Sequence, residues 1–145
     1  MKTEKRIQTE IIINASREKI WGILIDTEKY KDWNPFIVSM SGKIKEGERL
    51  VNVMKNGNGT ITFKPKVLKV KENEYFEWMG HLMVPGLFDG QHYFKLEDIR
   101  PGQVKLTHGE NFKGLLSGMI LRKIGDETKT KFIAMNNAIK LIAES

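Results

Sequence analysis

Three side chains in the second half of the sequence have the types and spacing for acid–base chemistry: His92, His108 and Glu110. His92 keeps step with Phe94 and Leu96 at intervals of two, and His108 and Glu110 keep step with Val104, Leu106 and Phe112. An interval of two is the period of a strand, in which alternate side chains share a face. Phe94 and Leu96 read as core-directed, so all three polar groups point to the same interior. Arg100-Pro101-Gly102 is a tight turn between the two runs, and an even register across it sets His92 opposite His108 or Glu110. An imidazole and a carboxylate in an apolar pocket form an acid/base pair whose pKa values are displaced by burial and by each other. The same groups can hydrogen-bond a ligand's carbonyl or hydroxyl, or satisfy one another and hold the sheet together. All three readings stand open on the residues alone. By type the trio would also suit zinc, but strands give no diagnostic ligand spacing, and no metal is expected.

The elements that position these residues can be read along the chain. Ile7, Thr9, Ile11 and Ile13 alternate with polar residues as in a half-buried strand. Ser16 can cap the next helix, with Glu18 in its first turn and an apolar stripe of Ile20, Trp21, Ile23 and Leu24. Asp26 or Thr27 restarts a short helix carrying Tyr30 and Trp33, which Pro35 ends by biasing Asn34 away from helical angles. The Asn34 amide is expected to close that helix rather than to meet a ligand. Strands follow: one near residues 36–44, one with Leu50, Asn52 and Met54 on a single face, a hairpin turn at Asn56-Gly57-Asn58-Gly59, and a long strand over residues 60–71. Pro65 within that long strand implies an edge or a bulge. Residues 75–83 form the next strand, in which His81 is out of phase with Phe76 and Trp78 and reads as solvent-facing. Residues 91–97 and 103–112 then pair as a hairpin.

At the carboxy end, Leu115, Leu116, Met119, Ile120 and Ile124 space like one helical face, and Gly125-Asp126 suggests a break and restart. Thr128, Phe132, Met135, Ile139 and Ile142 then make the stripe of a helix about 25 Å long. The expected class is α+β: an antiparallel sheet of about six to seven strands wrapped around a long carboxy-terminal helix, with two short helices after the first strand. One helix gripped by a curved sheet leaves a space suited to a small molecule.

Composition narrows the function classes. The 145 residues are 29% charged and 40% hydrophobic, as in an ordinary folded domain, and residues 1–145 read as a single domain. There is no apolar run long enough for a membrane span, and the first ten residues are not a secretory signal. Without cysteine there are no disulfides or thiolate sites, and a cytoplasmic location is expected. The net charge of +6 comes mostly from dispersed lysines rather than an arginine-rich stripe, which argues against a nucleic-acid partner. No Ser-His-Asp order, phosphate loop or dinucleotide fingerprint occurs, and no cofactor is expected.

Four segments carry a family resemblance: Ile13-Asn14-Ala15-Ser16-Arg17-Glu18-Lys19-Ile20-Trp21, Tyr30-Lys31-Asp32-Trp33-Asn34-Pro35-Phe36, Thr107-His108-Gly109-Glu110-Asn111-Phe112-Lys113-Gly114-Leu115-Leu116 and Met135-Asn136-Asn137-Ala138-Ile139-Lys140. The chain resembles the helix-grip (SRPBCC) superfamily of START domains, Bet v 1-type allergens and bacterial polyketide cyclase/dehydrase and lipid-transport proteins. The resemblance implies a domain that binds a small hydrophobic ligand, such as a lipid, polyketide or isoprenoid, as a monomer or homodimer. Its aromatic lining is expected from Trp33, Phe36, Trp78, Phe94 and Phe112. Met54, Met119 and Met135 would add a soft wall, although ordinary core packing predicts these residues equally. His92, His108 and Glu110 would fix the polar end, with residues 84–90 and 114–118 as gates. Two alternatives stand beside it: a cyclase or dehydratase using His92 or His108 with Glu110 as catalytic residues, and a partner-binding module using the basic surface.

Overall fold

The computed structural model describes residues 5–82 and 84–145. In chain order the elements are β1 (Lys5–Ile13), α1 (Arg17–Ile25), a 3-10 turn (Thr27–Lys29), α2 (Tyr30–Trp33), β2 (Ile37–Ser41), β3 (Val51–Asn56), β4 (Gly59–Phe63), β5 (Lys66–Lys71), β6 (Tyr75–His81), β7 (Asp89–Arg100), β8 (Gln103–Lys113) and α3 (Ser117–Ala143). This is the helix-grip fold of the α+β class, with eight strands among the described residues. The strands form an antiparallel five-stranded sheet, ordered β1-β8-β7-β6-β5, and a three-stranded sheet, ordered β2-β3-β4. Helix α3 packs on β1 and β8. Phe132, Met135 and Ile139 from α3 meet Ile7, Ile13, Phe94 and Leu106 from the sheet in one buried core.

Local chemistry explains the element ends. Ser16 caps α1 by accepting the Lys19 N–H at 3.1 Å. Trp21 then packs edge-on against Phe76, with ring centres 5.5 Å apart. The far end of α3 is tied to the end of β1: Lys140 Nζ donates to the Ile12 carbonyl and the Asn14 N–H donates to the Glu144 carboxylate, each at 2.8 Å. These ties fix the height of α3 above the sheet, and with it the position of every inward side chain on the helix.

Three expectations are corrected. Residues 60–71 are two strands in different sheets, because Pro65 has no N–H to continue a ladder and the chain turns a corner there. The corner is held by the Leu50 N–H to the Pro65 carbonyl and the Val67 N–H to the Glu48 carbonyl, each at 2.8 Å. The strand expected over residues 36–44 ends at Ser41, where Gly42 adopts φ +104° and packs closely against the Arg49 carbonyl. Gly125-Asp126 does not break the last helix: α3 runs 27 residues, about 40 Å. A glycine in a helix costs only about 1 kcal/mol, less than the packing of the apolar face beyond it contributes. Among the described residues, no helix is long and apolar enough to cross a membrane.

Asn34 holds the junction between α2 and β2. Its Oδ1 accepts the N–H groups of Phe36 and Ile37, each at 2.9 Å, and the residue is buried. Replacing Asn34 by Ala would leave two buried donors unpaired, at a cost of about 1–3 kcal/mol, whereas Asp keeps the acceptor. Urea denaturation should show Asn34→Ala destabilised by that amount at unchanged m-value, with Asn34→Asp losing less. Equal losses would contradict the role of Oδ1 as the acceptor at this junction.

Candidate functional site

A partly open cavity of about 250 Å³ lies between the two sheets and α3. Phe36, Met54, Ile61 and Phe63 line it from the three-stranded side, Trp78, His92, Glu110 and Phe112 from the five-stranded side, and Ile120 and Ile124 from α3. The β7–β8 register sets His92 opposite Glu110 and Phe94 opposite His108. Two residues before His92, Gly90 leaves the space into which the Glu110 carboxylate extends; a Cβ there would collide with Oε2.

Five side chains from four elements form a continuous hydrogen-bond chain. Thr9 Oγ1 lies 2.8 Å from the His108 carbonyl, Asn136 Nδ2 lies 2.8 Å from Thr9 Oγ1, and Asn136 Oδ1 lies 2.8 Å from His108 Nδ1. His108 Nε2 is 2.7 Å from His92 Nε2, and His92 Nδ1 is 3.2 Å from Glu110 Oε1. A carbonyl can only accept, so the single hydroxyl proton of Thr9 goes to the His108 carbonyl. Thr9 Oγ1 therefore accepts from Asn136 Nδ2, which orients the amide with Oδ1 toward His108. That oxygen needs a donor, so His108 carries its proton on Nδ1.

The rest of the chain follows from the state of His108. It is fully buried, stacked on Phe132 at 4.3 Å and on Phe94 at 4.4 Å. Burial, followed by the neighbouring His92, holds its pKa well below the ordinary imidazole range. A neutral His108 protonated on Nδ1 offers only a lone pair at Nε2, so His92 must donate from its own Nε2. His92 Nδ1 then faces Glu110, and two acceptors at 3.2 Å would repel. One proton is therefore held between His92 and Glu110, at the end of the chain that borders the cavity. Glu110 is the outlet: its side chain keeps 17% exposure against 1% for His92.

The structure divides the sequence-based site residues into two groups. Phe36, Met54, Trp78, His92, Glu110 and Phe112 border the cavity. His108 lies behind His92 and can act on a ligand only through it. Phe94 and Met135 belong to the closed core, and Trp33 packs half-buried against Tyr30 with ring centres 5.2 Å apart. Met119 is more than half exposed and Leu115, which precedes α3, is 84% exposed, whereas Leu121 packs against the core and Ile120 and Ile124 face the cavity, so the expected stripe is only partly covered. His81 is exposed, as its phase implies, and also borders the cavity, where its Nδ1 meets Asp89 Oδ1 at 2.8 Å. Burial would raise the Asp89 carboxyl, but hydrogen bonds from His81 and the Gly86 N–H pull it below the usual carboxylate range. The segments expected as gates are stitched to each other: the Leu115 and Leu116 N–H groups donate to the Gly86 and Leu87 carbonyls at 3.0 and 2.9 Å.

Thr9, Asn136 and Asn52 were not singled out by the sequence reading as site residues. Each had a signal, since a polar residue sits in phase with core residues: Thr9 with Ile7 and Ile13, Asn136 four residues from Phe132, and Asn52 between Leu50 and Met54. Among the described residues, no group of three or more His, Cys, Asp or Glu side chains is arranged to hold a metal ion.

The sequence profile of the family described as polyketide cyclase/dehydrase and lipid transport matches residues 4–133. No curated protein matches by sequence. Among solved structures, the chain is similar to the Zhui aromatase/cyclase from Streptomyces sp. R1128, with a TM-score of 0.80 and 13% identity over 97% of this chain and 94% of that one. It is also similar to a START superfamily protein from Mycobacterium smegmatis, with a TM-score of 0.74 and 20% identity over 96% and 97% of the two chains. A third, norcoclaurine synthase of Thalictrum flavum, gives a TM-score of 0.74 and 14% identity over 97% and 94%. Identities this low establish a shared fold.

The depressed pKa of His108 sets a pH dependence for stability. Below about pH 6.5 the unfolded chain binds a proton at this position that the folded chain refuses, so stability falls as pH falls. The contribution of one such group is at most about 1.4 kcal/mol per pH unit. Urea titrations from about pH 8 to pH 5 should give a shallower acid slope for His108→Gln than for the unchanged protein. Identical slopes would contradict a neutral, buried His108.

Proposed function

We propose, for a chain that belongs to the polyketide cyclase/dehydrase and lipid-transport family, that it encloses one small, largely apolar molecule whose polar group meets Glu110 and His92. The observation that carries this reading is the cavity itself: largely apolar walls from two sheets and a helix, with the His92–Glu110 pair at its floor and Lys55, His81, Glu127 and Lys131 also on its lining. Its volume of about 250 Å³ lies just below the range of small-molecule sites, about 300 to 1,000 Å³, so a compact ligand is favoured over a long acyl chain. Lipid, polyketide and isoprenoid fragments of that size are the classes to screen. The reading takes residues 1–145 as one binding domain working in the cytoplasm, with the joined segments 84–90 and 114–118 moving together to admit the ligand.

A second reading is supported by the shared proton. A proton held between His92 and Glu110 at the cavity floor can be given to, or taken from, a ligand oxygen or carbon, as a cyclase or dehydratase requires. Glu110 and His92 would then touch the reacting atoms, while His108, Asn136 and Thr9 position them. Under this reading Glu110→Gln abolishes turnover and leaves ligand affinity within a few-fold; if both fall together, the pair serves recognition alone.

Binding is tested with the neutral fluorophore N-phenyl-1-naphthylamine and by native mass spectrometry after incubation with lipid and polyketide mixtures. One molecule per chain is expected. Filling the cavity with Met54→Trp should weaken uptake at least about tenfold, and Gly90→Ala, which displaces the Glu110 carboxylate, should weaken ligands with a polar head more than the fluorophore. A folded protein that takes up nothing from any of these classes overturns the reading.

A further inference from the structure

We infer that Asn52 selects the ligand, by pairing with a group that presents a hydrogen-bond donor and an acceptor side by side, as in a carboxamide or lactam. The inference rests on the cavity enclosing an apolar molecule, and adds a second polar anchor from the opposite sheet. Asn52 is only 1% exposed and borders the cavity. Neither its Nδ2 nor its Oδ1 has a hydrogen-bond partner.

That condition is costly and calls for a cause. Asn34 offers the contrast: its Nδ2 is also unpaired, but its Oδ1 is held by two backbone N–H groups, so its place in the fold is explained. Asn52 makes no such contact. It sits mid-strand in β3, where the backbone is already paired with Met40 and Phe63 and needs nothing from the side chain. Its neighbours on the inward face, Leu50 and Met54, are apolar, and a leucine would serve the fold better. An amide kept in such a place is useful when a bound molecule completes it. The side chain offers N–H and C=O in one plane, so its full complement is a group with C=O and N–H equally close together. A ligand with an acceptor alone would leave the Oδ1 unpaired, and sites of this kind discriminate strongly against such analogues.

The test uses two probes of nearly the same shape, 2-naphthamide and 2-acetylnaphthalene, which differ in an NH₂ replaced by CH₃. Calorimetric titration of the intact protein gives the ratio of their affinities. Asn52→Leu should reduce the preference for the amide by about tenfold while keeping or improving affinity for the ketone. The same variant should melt about 3 °C higher, since it removes an unsatisfied buried group. Asn52→Ala, which removes the amide without adding bulk, should lose the preference in the same way. An unchanged amide-to-ketone ratio in both variants overturns the role of Asn52 and leaves the cavity reading intact. Loss of both probes in both variants also overturns it, because Asn52 would then be supporting the cavity rather than choosing its occupant. Failure of the unchanged protein to bind 2-naphthamide overturns the role of Asn52; the cavity reading falls with it only if N-phenyl-1-naphthylamine and the lipid and polyketide mixtures are refused as well.

Discussion

Two imidazole nitrogens meet 2.7 Å apart in a region closed to water, and only one of them can carry a proton. Thr9, Asn136 and Glu110 are arranged around that constraint. The choice is made well away from the cavity, by a threonine hydroxyl whose one proton is committed to a backbone carbonyl. Its consequence passes through an amide and two rings, and emerges as a proton held between an imidazole and a carboxylate. A buried polar network of this kind is stable only when each member is satisfied, and here every donor from Thr9 to His92 has an acceptor.

The fold can be understood as the scaffold for this chain. Thr9 comes from β1, His108 and Glu110 from β8, His92 from β7 and Asn136 from α3. The β1–β8 pairing places Thr9 against His108, and the β7–β8 pairing places His92 against Glu110. The ties between the end of α3 and the end of β1 hold Asn136 at the height where its amide reaches both. Aromatic rings surround the histidines on their remaining sides: Trp78 stacks on His92 at 4.9 Å, and Phe94 and Phe132 enclose His108. The network is thus polar along its length and apolar around it, which raises the cost of any unpaired member.

Much of this was legible in the sequence. Alternation by two placed His92, His108 and Glu110 on inward faces, and the turn at Arg100-Pro101-Gly102 set His92 opposite His108 or Glu110, of which the register takes Glu110. The Ser16 cap, the stop at Pro35 and the Asn56-Gly57 hairpin all rest on local backbone chemistry, which sequence carries directly. What was not legible depends on contacts between distant elements. Pro65 signalled an interruption, but not that the chain would pass to a second sheet. The periodicity of Leu115, Met119 and Ile124 implied a buried face, whereas all three are exposed and full burial of the apolar stripe is concentrated at Phe132, Met135 and Ile139. Periodicity likewise cannot separate a cavity wall from a closed core, so Phe94 and Phe112 looked alike although only Phe112 borders the cavity. Asn52, Thr9 and Asn136 were hidden in plain alternation, because a polar residue in an apolar phase says that something is bonded there without saying what.

The account stands on the direction of the proton chain, and nitrogen-15 spectra of the two buried histidines read that direction most directly. With the ring nitrogens labelled, His108 is expected at neutral pH as a neutral ring protonated on Nδ1, and His92 as a ring protonated on Nε2, with its Nδ1 shift changing when Glu110→Gln removes the carboxylate. A His108 protonated on Nε2, or a His92 whose Nδ1 is indifferent to Glu110, would contradict it.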